Sequence, residues 1–318
     1  MKSKAISLYI VLFFLCSFSS RASFVLLPME AEGQQNHLKA YGITYWALDK
    51  SYKVSWLLNY RGGSFLLPDA PEIRKECQIR GVTFEVLSDV ATNSILEDIS
   101  SPSQNMETVV LEKAPKIAVY TPKGKQPWDD AVTMVLTYAE IPFTEVYDEE
   151  VLSDQLLLYD WLHLHHEDFT GQYGKFFGNY RSTPWYIQQK AEAEALAKKL
   201  GYTKVSEEKL AVAKKIRDFV IGGGFMFAMC SATDSFDIAL SAEGVDICEP
   251  MFDGDDSEAN YQSRIDYTST FAFKDYTLVR NPMVYEFSDI DTTEEHGKGA
   301  FSMDKDYFTL MEYSAKWD

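Results

Sequence analysis

The segment GGGFMFAMCSATDSF, residues 222–236, decides how the rest of the sequence is interpreted. Three glycines precede the strand-like run FMFAM, Cys230 follows, and the next residues have the composition of a helix. A side chain in a sharp turn between a strand and a helix is typical of a nucleophile elbow. The crowded turn needs small residues two positions before and after the nucleophile, and Ala228 and Ala232 occupy those positions. We predict Cys230 as a catalytic nucleophile; a small cysteine packed in a tight turn is the alternative.

The elbow predicts roles for two further residues. A thiol above a helix N-terminus is favoured as thiolate. The backbone N–H of Ser231 would then be a natural oxyanion donor. A cysteine nucleophile also needs a base, and the only histidine after Cys230 is His296, in EEHGKGAF. His296 is therefore the possible base.

Strand-like and helix-like runs alternate along most of the chain, which predicts a parallel sheet with right-handed crossovers. Residues 98–108, DISSPSQNMET, have the composition of a linker. We expect an α/β N-terminal portion over 23–112 and a second α/β domain over 113–318. The strand-like runs are FVLLPM (24–29), VSWLL (54–58), VTFEVL (82–87), KIAVYTP (116–122), FTEVY (143–147), LLLYDWLHLHH (156–166) and FMFAM (225–229).

From residue 250 onward, short β-type runs are broken by acidic turns, and the chain stops at MEYSAKWD. This pattern predicts a β-rich C-terminal part that looks truncated. The expected fold class is α/β, with a doubly wound, mostly parallel sheet.

The N-terminus has the pattern of an export signal. Basic Lys2 and Lys4 precede an apolar run, and Ser20-Arg21-Ala22 places small residues for cleavage after residue 22. The run is too short to span a bilayer, and bulky Leu15 before Cys16 argues against a lipoprotein anchor. We expect residues 1–22 to be a signal peptide and the mature protein to be periplasmic or in the cell envelope, without a membrane span.

The formal net charge is −18, which argues against binding to nucleic acid or to an anionic membrane surface. The expected partner is an unknown small molecule or a protein. After signal removal Cys77, Cys230 and Cys248 remain, so one disulfide could form and at least one thiol should stay free. No C-x-x-C spacing is present, and we predict no cofactor and no metal.

A polar run at the end of one predicted strand is the second candidate site. His163, His165, His166, Glu167 and Asp168 lie where a doubly wound sheet binds its ligands, at the carboxyl ends of the strands. Three roles remain open for them: metal ligands, lining of a pocket, or structural hydrogen bonding. We predict that they line a pocket close to Cys230.

Arg61 follows another predicted strand and stands beside Gly62 and Gly63. A guanidinium next to glycines could hold a carboxylate or a phosphate in the same pocket, and a plain turn with a solvated arginine is the alternative. Asp253-Gly254-Asp255-Asp256 lacks the rest of a calcium loop, so we interpret it as an acidic surface turn.

The elbow resembles the class I glutamine amidotransferase-like superfamily, whose nucleophile turn reads G-x-C-x-G. Here residues 228–232 read Ala-Met-Cys-Ser-Ala. The resemblance implies a flavodoxin-like fold, Cys230 as nucleophile, and hydrolysis or transfer of an amide. It also implies a histidine after the nucleophile, usually in H-P-E, whereas His296 is followed by Gly297 and Lys298.

Over nearly the whole chain after residue 22, the sequence is similar to exported bacterial proteins labelled "asparagine synthetase B". The similarity lies in HLKAYGITYWAL, NYRGGSFLLPDAPEIR, WLHLHHEDFTGQYGKF and GGGFMFAMCSATDSFD. The label finds no support in the residues, because residue 2 is lysine rather than cysteine and no SGGxDS loop is present. We expect an amidotransferase-like protein with Cys-dependent amide chemistry, or a non-catalytic binding or scaffold protein with the same fold.

Overall fold

The computed structural model describes residues 22–122, 131–291 and 315. The predicted signal peptide lies outside these residues except for Ala22, and so does His296. In the described part of the chain, no helix combines the length and apolar character needed to cross a bilayer. The chain divides into two compact units. Of the described residues, unit 1 comprises 22–114, 137–141 and 315, and unit 2 comprises 115–122, 131–136 and 142–291.

Unit 1 contains a five-stranded antiparallel sheet with strand order β4-β1-β3-β2-β5. Three helices lie between its strands in the sequence. The elements are β1 (Ala22–Leu27), α1 (His37–Asp49), β2 (Val54–Leu58), β3 (Phe65–Pro68), α2 (Pro71–Arg80), β4 (Glu85–Ser88), α3 (Asp89–Ser100) and β5 (Glu107–Leu111).

The prediction of a parallel sheet is wrong for unit 1. Residues 59–64 join β2 to β3, and Ser55 pairs with Leu66 in an antiparallel register. A parallel pair needs a crossover of a dozen or more residues, so a six-residue loop permits only a hairpin. Strand β3 was not predicted, and the predicted linker 98–108 overlaps the end of α3 and the start of β5.

Both faces of the unit 1 sheet are covered, because successive side chains of a strand point to opposite faces. Val25 and Leu27 pack in one cluster with residues of α1 and α2, while Leu26 packs with Ile99 of α3. Cys77 of α2 is buried in the first cluster, where burial raises the pKa of its thiol to about 12. Burial also keeps this thiol away from reagents and partners.

Unit 2 contains a four-stranded, entirely parallel sheet with strand order β7-β6-β8-β9, as the alternation of elements predicted for this region. The protein is therefore a mixed α/β protein. The elements from residue 115 onward are β6 (Ile117–Tyr120), α4 (Ala131–Ala139, of which residues 137–139 belong to unit 1), β7 (Phe143–Val146), α5 (Asp148–Leu152), β8 (Trp161–Leu164), α6 (Phe177–Tyr180), α7 (Pro184–Lys199), α8 (Val205–Ile221), β9 (Phe225–Ala228), α9 (Ala232–Ser241) and α10 (Pro250–Asp253).

The core of unit 2 joins the sheet to α8 and α9. Ala118 and Leu162 of the two central strands are fully buried, and they share one cluster with Val212 and Ile216 of α8 and Phe236 of α9. Packing on both α8 and α9 fixes the helices that precede and follow β9. The turn between β9 and α9 is held in place by this core.

The described residues after 253 are not β-rich, which corrects the prediction for the C-terminal part. They form short 3-10 helices and a single antiparallel bridge between Leu278 and Ser288. The buried carboxylate of Asp237 on α9 accepts three backbone N–H hydrogen bonds from residues 271–273, at 2.8, 2.8 and 3.0 Å. A carboxylate thus supplies the acceptors that a neighbouring strand would otherwise provide.

Candidate functional site

Cys230 occupies the turn between β9 and α9, at the carboxyl edge of the parallel sheet. Its φ angle is +52°, in the left-handed region that costs a residue with a side chain about 1–2 kcal/mol. The residue is exposed, whereas Ala232 two positions later is fully buried. The strand-to-helix turn therefore combines a strained backbone with an accessible thiol, as at a nucleophile elbow.

Backbone hydrogen bonds join this turn to the end of β8. Met229 N donates to Leu164 O at 3.1 Å, and Ala232 N donates to His165 O at 3.2 Å. Adjacent strands lie about 4.8 Å apart, so the residues after β8 stand next to the elbow. The histidine-rich run and Cys230 are thereby neighbours in unit 2.

In the described part of the chain, the Cys230 thiol and the neighbouring Ser231 N–H remain available to a bound molecule. Across residues 22–122, 131–291 and 315, the thiol makes no hydrogen bond to a histidine or a carboxylate. The Cys230 carbonyl accepts from Thr233 N at 3.1 Å and from the Thr233 hydroxyl at 2.6 Å. Within the same residues, the backbone N–H of Ser231 has no hydrogen-bond acceptor, so it can donate to a bound molecule.

The three histidines within residues 163–166 have different environments. His163 is buried in β8 and stacks on Phe227 of β9, with ring centroids 5.4 Å apart. His165 and His166 contact each other through their Nδ1 atoms at 3.1 Å. One of the two rings must carry the proton in that contact. The Glu167 carboxylate accepts from His165 N at 2.8 Å.

A cavity of about 300 Å³ opens in unit 2 beside the carboxyl ends of β6, β7 and β8. His166, Glu167 and Asp168 of the polar run line it. The described lining includes neither His163, which is packed within the sheet, nor His165. Cys230 is also outside the described lining, so the cavity and the elbow are adjacent features rather than one pocket.

Asp168 shapes the loop that forms one wall of the cavity. Its Oδ1 accepts from the backbone and hydroxyl of Thr170, both at 2.6 Å, and its Oδ2 accepts from Gly174 N at 3.0 Å. Tyr173 and Lys175 in this loop have positive φ angles, which three hydrogen bonds to one carboxylate help to maintain. Asp168 is therefore a structural residue as well as a lining residue.

A buried polar cluster at the base of the cavity is absent from the sequence-based prediction. Lys209 of α8 lines the cavity, and its Nζ donates to the two Asp148 carboxylate oxygens at 2.8 and 2.7 Å. It also donates to the hydroxyls of Tyr120 at 3.0 Å and Tyr147 at 3.2 Å. Burial lowers the pKa of Lys209, but Asp148 and the two tyrosines outweigh it, so the pKa stays well above its usual range. The ammonium group is a fixed, fully satisfied cation.

The periodicity of α8 contains the signal that would have identified Lys209. Val212, Ala213 and Ile216 form the buried stripe of the helix, and Lys209 precedes the first two by three and four residues. Residues three and four apart share a helix face, so Lys209 had to be buried with that stripe. A buried lysine requires a carboxylate partner, and Asp148 at the start of α5 supplies it.

Glu208 lies next to this pair and is also buried. Burial raises the pKa of Glu208 to about 8; Lys209 opposes the shift, and Asp148 adds to it. Within the described residues, its Oε1 has no hydrogen-bond partner. A protonated carboxyl group at neutral pH fits this environment, because the Lys209 charge is already balanced by Asp148.

The raised pKa of Glu208 makes stability depend on pH. The folded protein retains a proton that the unfolded chain releases near pH 4.5, so stability should fall as the pH rises from about 5 to 8. Glu208→Gln removes this contribution and should flatten the decline by roughly 1–3 kcal/mol. Urea unfolding at several pH values measures it, with Glu243→Gln as the exposed control. Equal slopes in wild type and Glu208→Gln would contradict the assignment.

Arg61, predicted to line a pocket, lies outside the described lining of this cavity. Its guanidinium, in unit 1, donates to Glu30 at 2.5 Å and makes two bonds to Glu85, at 3.0 and 2.8 Å. Glu85 and Glu30 hold the pKa of Arg61 above its ordinary value. Two carboxylates of its own unit occupy the guanidinium, so the positive charge stabilises unit 1 instead of a bound anion.

All three described cysteines are free, so the disulfide that the sequence allowed is not formed among them. Cys248 lies within 4.8 Å of carboxylate oxygens of Asp246 and Asp253, a grouping that could hold a metal ion. Lys204 Nζ lies 2.5 Å from Asp246 and 3.0 Å from Asp253, and burial raises the pKa of the Cys248 thiol well above its usual range. Because Lys204 pairs with both carboxylates and the thiol is protonated, we interpret this group as a structural cluster.

Comparisons of the chain with protein-family models, with curated proteins and with solved structures found no match.

Proposed function

We propose that the protein is a thiol-dependent acyl-transfer enzyme of the amidotransferase-like class, with Cys230 as its nucleophile. The observation that carries the proposal is the backbone of Cys230. A non-glycine residue with φ of +52° stands between a parallel strand and a helix, with its thiol exposed at the carboxyl edge of the sheet. Strain of this kind persists only where the surrounding structure maintains it, and it is common at active sites.

The reaction would proceed through a thioester. The Cys230 thiolate attacks the carbonyl carbon of an amide or ester, and the oxygen that becomes negative accepts a hydrogen bond from Ser231 N–H. The bond to the leaving amine or alcohol breaks as that group takes a proton. Water then attacks the thioester, which releases a carboxylic acid and restores the thiol.

The proton carrier in this scheme would be the His165–His166 pair. The backbone of His165 is bonded to the first residue of α9, and the two imidazoles share one hydrogen bond. Catalytic hydrogen bonds are often long in the absence of substrate, so a thiol without a bonded base is compatible with this role. His296, the base expected from the resemblance, lies outside the described residues.

The strand order of unit 2 supports a more specific proposal within the α/β class, which is a flavodoxin-like, class I glutamine amidotransferase-like fold. With β6 as first strand, the order β7-β6-β8-β9 reads 2-1-3-4, and in such sheets ligands bind where the order reverses. Here that point lies between β6 and β8, beside the cavity. Residues 1–22 support export of the protein to the periplasm or cell envelope.

A non-catalytic binding protein with the same fold is the second candidate. It is favoured by one specific observation, which is that the thiol has no hydrogen-bonded base in the described residues. In this alternative Cys230 is only a small side chain that fits the turn, and the protein functions by binding a ligand in the cavity.

Alkylation of the native protein by iodoacetamide at pH 7 tests the proposal. Cys230 should react about tenfold faster than in the unfolded chain, because an activated nucleophile reacts faster than an ordinary free thiol. Buried Cys77 and Cys248 are internal controls and should remain unmodified in peptide maps. A Cys230 rate no greater than that of the unfolded chain would favour the non-catalytic alternative.

A further inference from the structure

The cavity of unit 2 has features that the chemistry at Cys230 does not use. We propose that it binds a small organic cation, an ammonium or guanidinium group carried on an apolar body. The site is separate from the thiol, since Cys230 is outside the described lining. Its volume of about 300 Å³ is at the lower end of the range for small-molecule sites.

Aromatic side chains form much of the cavity wall. Tyr147, Tyr173, Phe176 and Trp185 all line it, and the rings of Phe176 and Trp185 pack edge to face with centroids 5.4 Å apart. Such a wall provides a rigid apolar surface for the body of a ligand.

Two of these rings already contact ammonium groups of the protein. Lys209 Nζ lies 4.4 Å from the centroid of Tyr147, and Lys190 Nζ lies 5.3 Å from the centroid of Tyr173. A cation within about 6 Å of a ring centroid is attracted by the negative face of the ring. The wall is therefore suited to positive charge as well as to apolar groups.

The net charge of the described lining also favours binding of a cationic ligand. Its only basic side chains are Lys209 and His166, and the charge of Lys209 is balanced by Asp148. An excess of carboxylates gives the cavity a negative potential, which attracts cations and repels anions. The lining carboxylates are Glu149, Glu150, Glu167, Asp168 and Glu192.

Gln189 on α7 provides a further acceptor. It lines the cavity, and its Oε1 is buried with no hydrogen-bond partner within the described part of the chain. A buried amide oxygen without a donor is costly, and a ligand N–H would supply the missing bond. Carboxylates and this carbonyl together require a ligand that donates hydrogen bonds, which an ammonium or guanidinium group does.

Calorimetric titration of the full chain with 2-phenylethylamine tests the inference, with 2-phenylethanol and phenylacetate as neutral and anionic probes of similar size. The amine should bind about tenfold more tightly than the alcohol, and the acid should not bind. Calcium chloride is titrated separately, because carboxylates also bind calcium. Equal binding of amine and alcohol, binding of the acid, or binding of calcium alone would overturn the inference.

Two glutamate variants locate the site. The side-chain hydrogen bond of Glu192 within the described residues is accepted from the Gln188 side chain at 2.7 Å, so Glu192→Gln should preserve the fold and weaken amine binding about threefold. Glu145→Gln, an exposed residue of β7 outside the described lining, is the control and should bind like wild type. Cys230→Ser should also keep full affinity; loss of binding in that variant would place the amine at the thiol and refute a separate site.

Discussion

Lys209→Met should lower the free energy of unfolding by about 3–5 kcal/mol, because it leaves the Asp148 carboxylate buried without its cation. The same change removes donors to Tyr120 and Tyr147, whose hydroxyls are also buried. Chemical unfolding monitored by circular dichroism measures the loss.

Lys214→Met is the matched control for this prediction. Lys214 lies on the same helix and pairs with Glu243 at 2.5 Å, but both side chains are largely exposed, so the change should cost less than about 1 kcal/mol. The double variant Lys209→Met, Asp148→Asn should be more stable than the sum of the single losses by about 1–3 kcal/mol, since it removes both charges. Equal losses for Lys209→Met and Lys214→Met would show that the buried pair does not stabilise unit 2.

Cys230→Ala should abolish covalent acylation of the protein by an activated ester such as p-nitrophenyl acetate. No other described cysteine is exposed, so no second thiol of the described residues can replace it. The fold should be unaffected, with stability within about 0.5 kcal/mol of wild type, because the side chain is at the surface. If the variant loses acylation while its stability is unchanged, the role of Cys230 is chemical and not structural.

Cys230→Gly is the complementary control. Glycine adopts φ of +52° without steric cost, so this variant should be as stable as wild type or up to about 1 kcal/mol more stable, while it also loses acylation. A clear destabilisation by either substitution would instead assign Cys230 a packing role.

Local sequence patterns predicted the elements of unit 2 better than those of unit 1. Buried strands such as IAVY and the apolar run FMFAM are bounded by turns and alternate with helices, and they form the parallel sheet. In unit 1 the same alternation gave the wrong strand direction. The short strand Phe65–Pro68 follows two glycines, and the hairpin it makes with β2 reverses the chain without a crossover helix. The direction in which two strands pair depends on the length of the loop between them and on distant partner strands. The composition of a segment reveals neither.

At the candidate site too, local sequence patterns indicated some of the residues, whereas a contact between distant residues was not predicted. The small residues around Cys230 and the polar run after β8 are local signals, and the structure places both at the carboxyl edge of the sheet. The buried ion pair joins Lys209 of α8 to Asp148, 61 residues earlier, and neither residue is unusual in its own segment. Only the helical periodicity of α8 indicated that Lys209 is buried, and no local pattern indicated that Asp148 is its partner.

Mass spectrometry of the protein after brief exposure to p-nitrophenyl acetate tests the central claim most directly. If Cys230 is an activated nucleophile, one acetyl group should appear on the peptide that contains it, and the adduct should disappear as water hydrolyses the thioester. Acetylation only at lysines or the N-terminus, at equal rates in wild type and Cys230→Ala, would contradict the claim.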